Sequence, residues 1–245
     1  MKKVLSYILS SIYYLVFFIC LLIFHVVQVL ARKIGGYNAH KKSVEYLNWC
    51  LLACLRIIGS KVIFKMDEPI PLERPIIFVS NHQSMNDIPP FVWYLRQYHP
   101  KFISKIELGK GIPSVSYNLR HGGSVLIDRK DGKQSLKAIM EFGRYIEKNK
   151  YAAVIFPEGT RSKTGQPKKF SENGLRMLVK TAPSALVVPV TINNSWKLDK
   201  YGGFPMELGV RVTFDVHAPI NPAEMTFDEL MKKVENTVIN GIKND

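Results

Sequence analysis

The sequence is poor in cysteine and lacks the common motifs of several enzyme classes. Its three cysteines, Cys20, Cys50 and Cys54, all lie in the apolar N-terminal region, so neither a disulfide framework nor a zinc site is expected in the body of the chain. The sequence has no GxxxxGK(S/T) phosphate loop, no GxSxG nucleophile elbow, no HExxH and no Cys-x-x-Cys. A route through a covalent enzyme intermediate therefore lacks an obvious nucleophile.

Acidic residues are also scarce. Against 34 Lys and Arg there are only 20 Asp and Glu, which gives a formal net charge of +14 over 245 residues. Such an excess favours an anionic partner, namely a nucleic acid, a membrane surface or a phosphorylated substrate, and charge alone does not choose among them. The length is sufficient for one α/β domain with an appendage.

Residues 4–31 contain no side chain that is charged at neutral pH apart from a possible charge on His25, and basic residues bracket them. As a helix this run would measure about 42 Å, which exceeds the ~30 Å hydrocarbon layer, so it can cross a bilayer with tilt or lie in one leaflet. It is longer than the apolar core of a signal peptide and has no clear cleavage site, so we expect it to be retained. If it spans, the more numerous positive charges after it place the main domain in the cytoplasm.

A second apolar run, residues 44–58, is too short to span a bilayer and is interrupted by Arg56. The Gly35 and Gly36 pair marks a break between the two runs. We therefore predict a membrane-seated helical hairpin over residues 1–59 and a catalytic domain over residues 60–245.

After Gly59 the pattern changes to short β-branched runs that alternate with amphipathic stretches, which is typical of an α/β fold. Several of the strands are apolar throughout and should be central in the sheet. The predicted strands are residues 62–65, 75–80, 102–104, 124–127, 152–156, 186–191 and 210–216, and the predicted helices are residues 88–98, 134–148, 172–181 and 227–242.

Two of these strands are followed directly by residues that could do chemistry, at the carboxyl ends where α/β proteins bind ligands. The first, NHQSMND, presents His82 and Asp87, which are five residues apart and can meet only if the chain turns at Ser84. In one interpretation Asp87 orients the imidazole so that it takes a proton from a substrate hydroxyl. In the other, Asp87 only caps a helix and His82 is an ordinary loop residue.

The second group is FPEGTRS, residues 156–162, which presents Glu158 and Arg161. A solvated surface ion pair is the alternative interpretation here. The strands GSVLIDR and ISK further deliver Arg129 and Lys105, and several basic groups that arrive from separate strands suit a phosphate.

At these residues the chain resembles the 1-acyl-glycerol-3-phosphate acyltransferase family. NHQSMND resembles its NHxxxxD block and FPEGTRS its third block, while GSVLIDR and VVPVTI resemble the second and fourth, in the expected order over residues 75–192. The resemblance implies a mixed α/β sheet flanked by helices with a membrane-seated N-terminal region. It also implies transfer of a fatty acyl group from acyl-CoA or acyl carrier protein to the sn-2 hydroxyl of lysophosphatidic acid, with no metal and no other cofactor.

The same resemblance assigns roles to residues. His82 would be the general base and Asp87 its orienting partner. Glu158 would hold the glycerol of the acceptor. Arg129 and Arg161, with Lys105, would hold its phosphate, and Gly159 and Thr160 would shape the same site.

Other functions stay open at this point. The same chemistry could act on another lysolipid, or water could replace the acceptor, which would make the protein a thioesterase. A non-catalytic lipid-binding protein would use the same basic cleft without turnover. Nucleic acid is not expected as a partner, because the basic residues match no recognition module.

Overall fold

The computed structural model describes residues 2–243, and it opens with helix α1 (Lys2–Cys54). Gly36 kinks this helix with φ 66° and ψ −155°, a left-handed conformation that favours glycine. The two halves fold back on each other, and Leu21 of the first half packs with Leu47 and Leu51 of the second. The predicted hairpin and its break at the glycine pair are confirmed.

Helix α1 and the turn after it, Lys2–Ile58, are long and apolar enough to cross a membrane by length and composition alone. Only 11% of the most apolar window is buried against the rest of the protein. This long apolar helix is compatible with association with a membrane.

The described residues contain one sheet of seven strands, which confirms the α/β class. Its spatial order is β1-β7-β6-β2-β5-β3-β4. The five strands from β6 to β4 are parallel, whereas β7 is antiparallel to β6 and parallel to β1, so the sheet is mixed. The strands are β1 (Lys61–Met66), β2 (Ile76–Ser80), β3 (Pro100–Lys105), β4 (Val125–Ile127), β5 (Ala152–Ile155), β6 (Leu186–Asn193) and β7 (Arg211–Val216).

Helices cover both faces of the sheet. On one face lie α1 and α2 (Ile88–Tyr94), and on the other lie α4 (Gly132–Asn149), α5 (Glu172–Thr181) and α7 (Phe227–Asn240). The helix predicted over 88–98 was too long, because α2 ends at Tyr94 and a separate 3-10 turn, Arg96–Tyr98, follows. The short helices α3 (Val115–His121) and α6 (Ser195–Leu198) were not predicted, since neither is long enough for a helical repeat of apolar residues.

Strand β2 occupies the centre of the sheet, between β6 and β5, and every residue in it is buried. Its side chains alternate: Ile76 and Phe78 enter the core under α1 and α2, and Ile77 and Val79 enter the core under α4 and α5. Each such side chain contributes about 1.5–3 kcal/mol by its burial. The carboxyl end of β2 is therefore a rigid platform for the residues that follow it.

Candidate active site

His82 and Asp87 meet directly at the carboxyl end of β2. The His82 Nδ1 atom lies 2.8 Å from Asp87 Oδ2, and Asp87 is fully buried. The chain turns between them because Ser84 is extended (φ −147°, ψ 162°) and a 3-10 turn, Met85–Asp87, begins after it. The other ring nitrogen of His82, Nε2, makes no hydrogen bond with any residue that the structure describes.

Asp87 also caps the turn that brings it to His82. Its Oδ2 atom accepts hydrogen bonds from the backbone N–H groups of Gln83 (2.7 Å) and Ser84 (2.9 Å). The hydroxyl of Ser84 in return accepts the N–H of Asn86 at 3.2 Å. Capping and imidazole pairing were separate interpretations of the sequence, and the structure shows one carboxylate making both sets of contacts.

Glu158 holds the backbone of His82 in place. Its Oε1 accepts the N–H of His82 and its Oε2 accepts the N–H of Lys168, each at 2.8 Å. Burial raises the pKa of Glu158, and these two backbone donors oppose that rise because they favour the charged form. The expected alternative, a solvated ion pair with Arg161, does not match a carboxylate that is only 9% exposed and bonded to backbone.

The histidine ring is further fixed by packing. Phe156, the residue after β5, stacks on the imidazole with ring centroids 4.2 Å apart and an interplanar angle of 20°. Asn81 joins the end of β2 to β6, since its side chain both donates to the carbonyl of Ile192 (2.8 Å) and accepts its N–H (2.7 Å). The position and orientation of His82 therefore depend on three neighbouring strands.

Arg129 links the end of β4 to the turn that carries Glu158. Its Nη1 donates to the carbonyl oxygen of Gly159, whose φ of 68° is left-handed, and Thr160 beside it is exposed. Lys105, the last residue of β3, is exposed, and its side chain makes no hydrogen bond or ion pair within residues 2–243. Arg161 is exposed as well.

Two further residues at the site were missed from the sequence. Asp199 accepts the Ser84 hydroxyl at 2.7 Å, and burial raises the pKa of its carboxyl group. Tyr13 of α1 donates from its hydroxyl to Asn86 Oδ1 at 2.9 Å, which ties the N-terminal helix to the turn after His82. Neither residue stands in a local motif, so only the tertiary structure shows them.

Together these features define an α/β protein with a histidine–carboxylate pair and basic side chains at the carboxyl ends of neighbouring strands. Residues 61–193, which include every predicted site residue, match the family described as Acyltransferase. The chain belongs to this acyltransferase family.

Individual relatives agree with the family match. A 1-acyl-sn-glycerol-3-phosphate acyltransferase of Helicobacter pylori is 35% identical over 133 residues, which are 51% of this chain and 54% of that protein. One from Chlamydomonas reinhardtii is 26% identical over 208 residues, 84% of this chain and 61% of that protein. The chain thus spans little more than half the length of these relatives.

A solved structure is similar over a larger share of both chains. The crystal structure of the 1-acyl-sn-glycerophosphate acyltransferase PlsC from Thermotoga maritima has a TM-score of 0.78 and 26% sequence identity, and the match covers 98% of this chain and 96% of that chain. The similarity therefore includes the N-terminal hairpin as well as the sheet.

Proposed function

We propose that the protein transfers a fatty acyl group from the thioester of acyl-CoA or acyl carrier protein to the sn-2 hydroxyl of 1-acyl-glycerol-3-phosphate, which gives phosphatidic acid. The observation that carries this proposal is the buried Asp87 carboxylate 2.8 Å from His82 Nδ1, with Nε2 left for a substrate. The names of the relatives support the choice of acceptor.

In this reaction His82 is the general base. Asp87 accepts the Nδ1–H, which sets the tautomer with a lone pair on Nε2. His82 Nε2 takes the proton of the acceptor hydroxyl while its oxygen attacks the thioester carbonyl carbon. The carbon–sulfur bond then breaks, and the thiolate takes the proton from Nε2, so the histidine is regenerated. Such assistance is worth roughly 10²- to 10⁴-fold in rate.

The acceptor phosphate occupies the basic rim of the site. Arg129 and Arg161 suit bidentate contacts with phosphate oxygens, and Lys105 supplies a further charge. Gly159 and Thr160 shape the turn between them. Glu158 faces the glycerol, and because each of its oxygens bonds one backbone N–H, each keeps a second lone pair for a hydroxyl.

We infer that the N-terminal helix lies at the membrane beside this site. Ser6 donates to the carbonyl of Met206 (2.6 Å) and Ser114 donates to the carbonyl of Leu21 (2.8 Å), so the domain holds about 22 Å of helix along its surface. Because one face of the helix is covered by the domain over this length, hydrocarbon cannot surround the helix on all sides. We therefore propose that it lies in one leaflet, with the domain on the cytoplasmic side. Its outer face is apolar and exposed: Val4, Leu5, Ile8, Ile12, Leu15, Phe18, Ile19, Leu22, Ile23, Val26, Val27, Leu30 and Ile34.

The test is product analysis by mass spectrometry with the purified full chain in lipid, lysophosphatidic acid and either oleoyl-CoA or an acyl carrier protein thioester. Wild type should form phosphatidic acid with at least one donor, and His82→Ala should not. Product from another lysolipid alone would overturn the acceptor, and thiol release without any acceptor would indicate a thioesterase. Absence of turnover with every donor and acceptor would favour a non-catalytic lipid-binding protein.

A further inference from the structure

A second basic cleft lies at the tip of the N-terminal hairpin, away from His82. Tyr37, His40 and Lys41 of α1 line one side of it, and His99 and Lys101 line the other. Lys101 is the second residue of β3, whereas Lys105 of the acceptor site is the last. The four residue steps from Lys101 to Lys105 span about 13 Å of strand, so the cleft opens at the opposite edge of the sheet.

Lys101 is an unusually buried ammonium group, with only 7% of the residue exposed. Its Nζ lies 5.1 Å from the ring centroid of Tyr37 and 5.6 Å from that of Tyr151, and among the described residues it makes no hydrogen bond or ion pair. Aromatic faces alone compensate a desolvated charge only in part. Burial, with the charge of Lys41, lowers the pKa of Lys101 to about 7.

Two histidines in the cleft also have unused hydrogen-bonding atoms. His40 is 1% exposed, and neither of its ring nitrogens has a partner among residues 2–243. The Nδ1 atom of His99 is likewise buried without a partner there. Buried polar atoms are nearly always hydrogen-bonded, and a neutral imidazole donates one hydrogen bond, so these two histidines beside one ammonium group point to a missing acceptor of several hydrogen bonds.

The charged groups around the cleft indicate that the missing acceptor is negatively charged. Glu45 is the carboxylate in the cleft lining, and it is already paired with Lys41. Burial, followed by the charges of Arg32, Lys101 and His121, lowers the pKa of His40. The cleft therefore has a surplus of positive charge, which an anion with several oxygens would balance.

The setting of the cleft indicates where such an anion comes from. Ile34 and Leu30, at the hairpin tip, are 85% and 50% exposed. Along the second half of α1, Tyr46 and Trp49 are 57% and 51% exposed, and both rings pack beside Trp93. Exposed aromatic residues beside an apolar helix are typical of the interface between bilayer and water.

We propose that the cleft formed by His40, His99 and Lys101 binds the phosphate group of an anionic membrane phospholipid. The lipid acts here as a ligand and is not acylated. Because the phosphate would contact both α1 and β3, its binding would fasten the hairpin tip to the catalytic domain. This site is independent of the acceptor phosphate site at the other edge of the sheet.

The experiment compares wild type with Lys101→Met, which removes the charge and keeps the length of the side chain. Lys180→Met, on an exposed position of α5 across the sheet, is the matched control for net charge. Each full chain in neutral detergent is titrated with phosphatidylglycerol, phosphatidylcholine or inorganic phosphate. Native mass spectrometry measures lipid retention, and intrinsic fluorescence measures the Tm.

Phosphatidylglycerol should be retained by wild type and Lys180→Met and should raise their Tm, whereas Lys101→Met should bind it about tenfold more weakly or worse. Without lipid, Lys101→Met should melt no lower than wild type, because it removes an unpaired buried charge. Equal retention by Lys101→Met, or equal retention of phosphatidylcholine by wild type, would overturn the proposal. A rise in Tm with inorganic phosphate as large as that with lipid would assign the cleft to free phosphate instead.

Discussion

The substitution Asp87→Asn separates the charge of Asp87 from its structural contacts. All three hydrogen bonds at this side chain end on Oδ2, which accepts from His82 Nδ1, Gln83 N and Ser84 N. The other oxygen, Oδ1, is buried and has no partner within the described part of the chain. An asparagine can place its carbonyl oxygen at the Oδ2 position and its NH₂ group at the Oδ1 position, so the three bonds persist while the negative charge is lost and an NH₂ group without a partner among the described residues replaces Oδ1.

The expected loss of rate follows from that charge. When His82 takes the hydroxyl proton it becomes an imidazolium, and its charge centre lies about 4 Å from that of the carboxylate. With an effective dielectric constant of about 20, the attraction is about 4 kcal/mol. Its loss should lower kcat about 10³-fold, since each ~1.4 kcal/mol changes the rate tenfold.

The assay is steady-state release of thiol from the acyl donor, with the ester product checked by mass spectrometry and the Tm measured on the same preparation. Asp87→Ala is the contrasting variant, because it leaves the buried donors unpaired at a cost of about 1–3 kcal/mol each and should lower the Tm as well as kcat. If Asp87→Asn keeps the wild-type Tm and a kcat within about threefold of wild type, the charge of Asp87 does not stabilise the transition state and the proposed mechanism is wrong.

Three further perturbations test other parts of the structure. Arg129→Gln should raise the KM for lysophosphatidic acid about 10- to 100-fold without changing the KM for the donor, because it removes a charged contact with phosphate. Lys130→Gln is the neighbouring control. An unchanged KM in Arg129→Gln would mean that the phosphate does not bind at Arg129. Tyr13→Phe leaves the buried Asn86 Oδ1 without its donor and should lower the free energy of unfolding by about 1–3 kcal/mol. Denaturant titration measures this change. An unchanged free energy of unfolding would mean that this hydrogen bond does not hold α1 to the turn after His82. Lys101 has a pKa of about 7 in the folded protein, against an ordinary value of 10.5, so the unfolded chain binds more protons than the folded chain between those values. The Tm should therefore rise as the pH increases from about 7 towards 10, and it should rise less in Lys101→Met. Equal slopes of Tm against pH in the two proteins would contradict the lowered pKa of Lys101.

Much of the fold could be predicted from local patterns. All seven strands lie within two residues of their predicted bounds, because each is a short apolar run between turn-forming residues. The capping box at Thr226 and Glu229 starts α7 where the pattern indicated. The short α3 was missed, since its seven residues are too few to show a period.

The sequence predicted which residues stand at the strand ends, but only some of the contacts that they make; their roles in the candidate site stay predictions. His82, Asp87, Glu158 and Arg129 stand at strand ends, and a parallel sheet brings strand ends together. The contacts of Glu158 with two backbone N–H groups could not be foreseen, because the partners come from other strands and loops. Asp199 was missed for the same reason, since it reaches Ser84 across 115 residues of sequence.

The sequence by itself determined the α/β class, the hairpin break at Gly36 and the residues that stand at the strand ends. These properties depend on short-range physics, namely the period of apolar side chains, the backbone freedom of glycine and the termination of strands. Only the tertiary structure decided that one carboxylate both caps a turn and pairs with His82, and that Lys101 is buried among aromatic rings beside His40. Such contacts join residues that are distant along the chain, and local preference carries no information about which of them will meet.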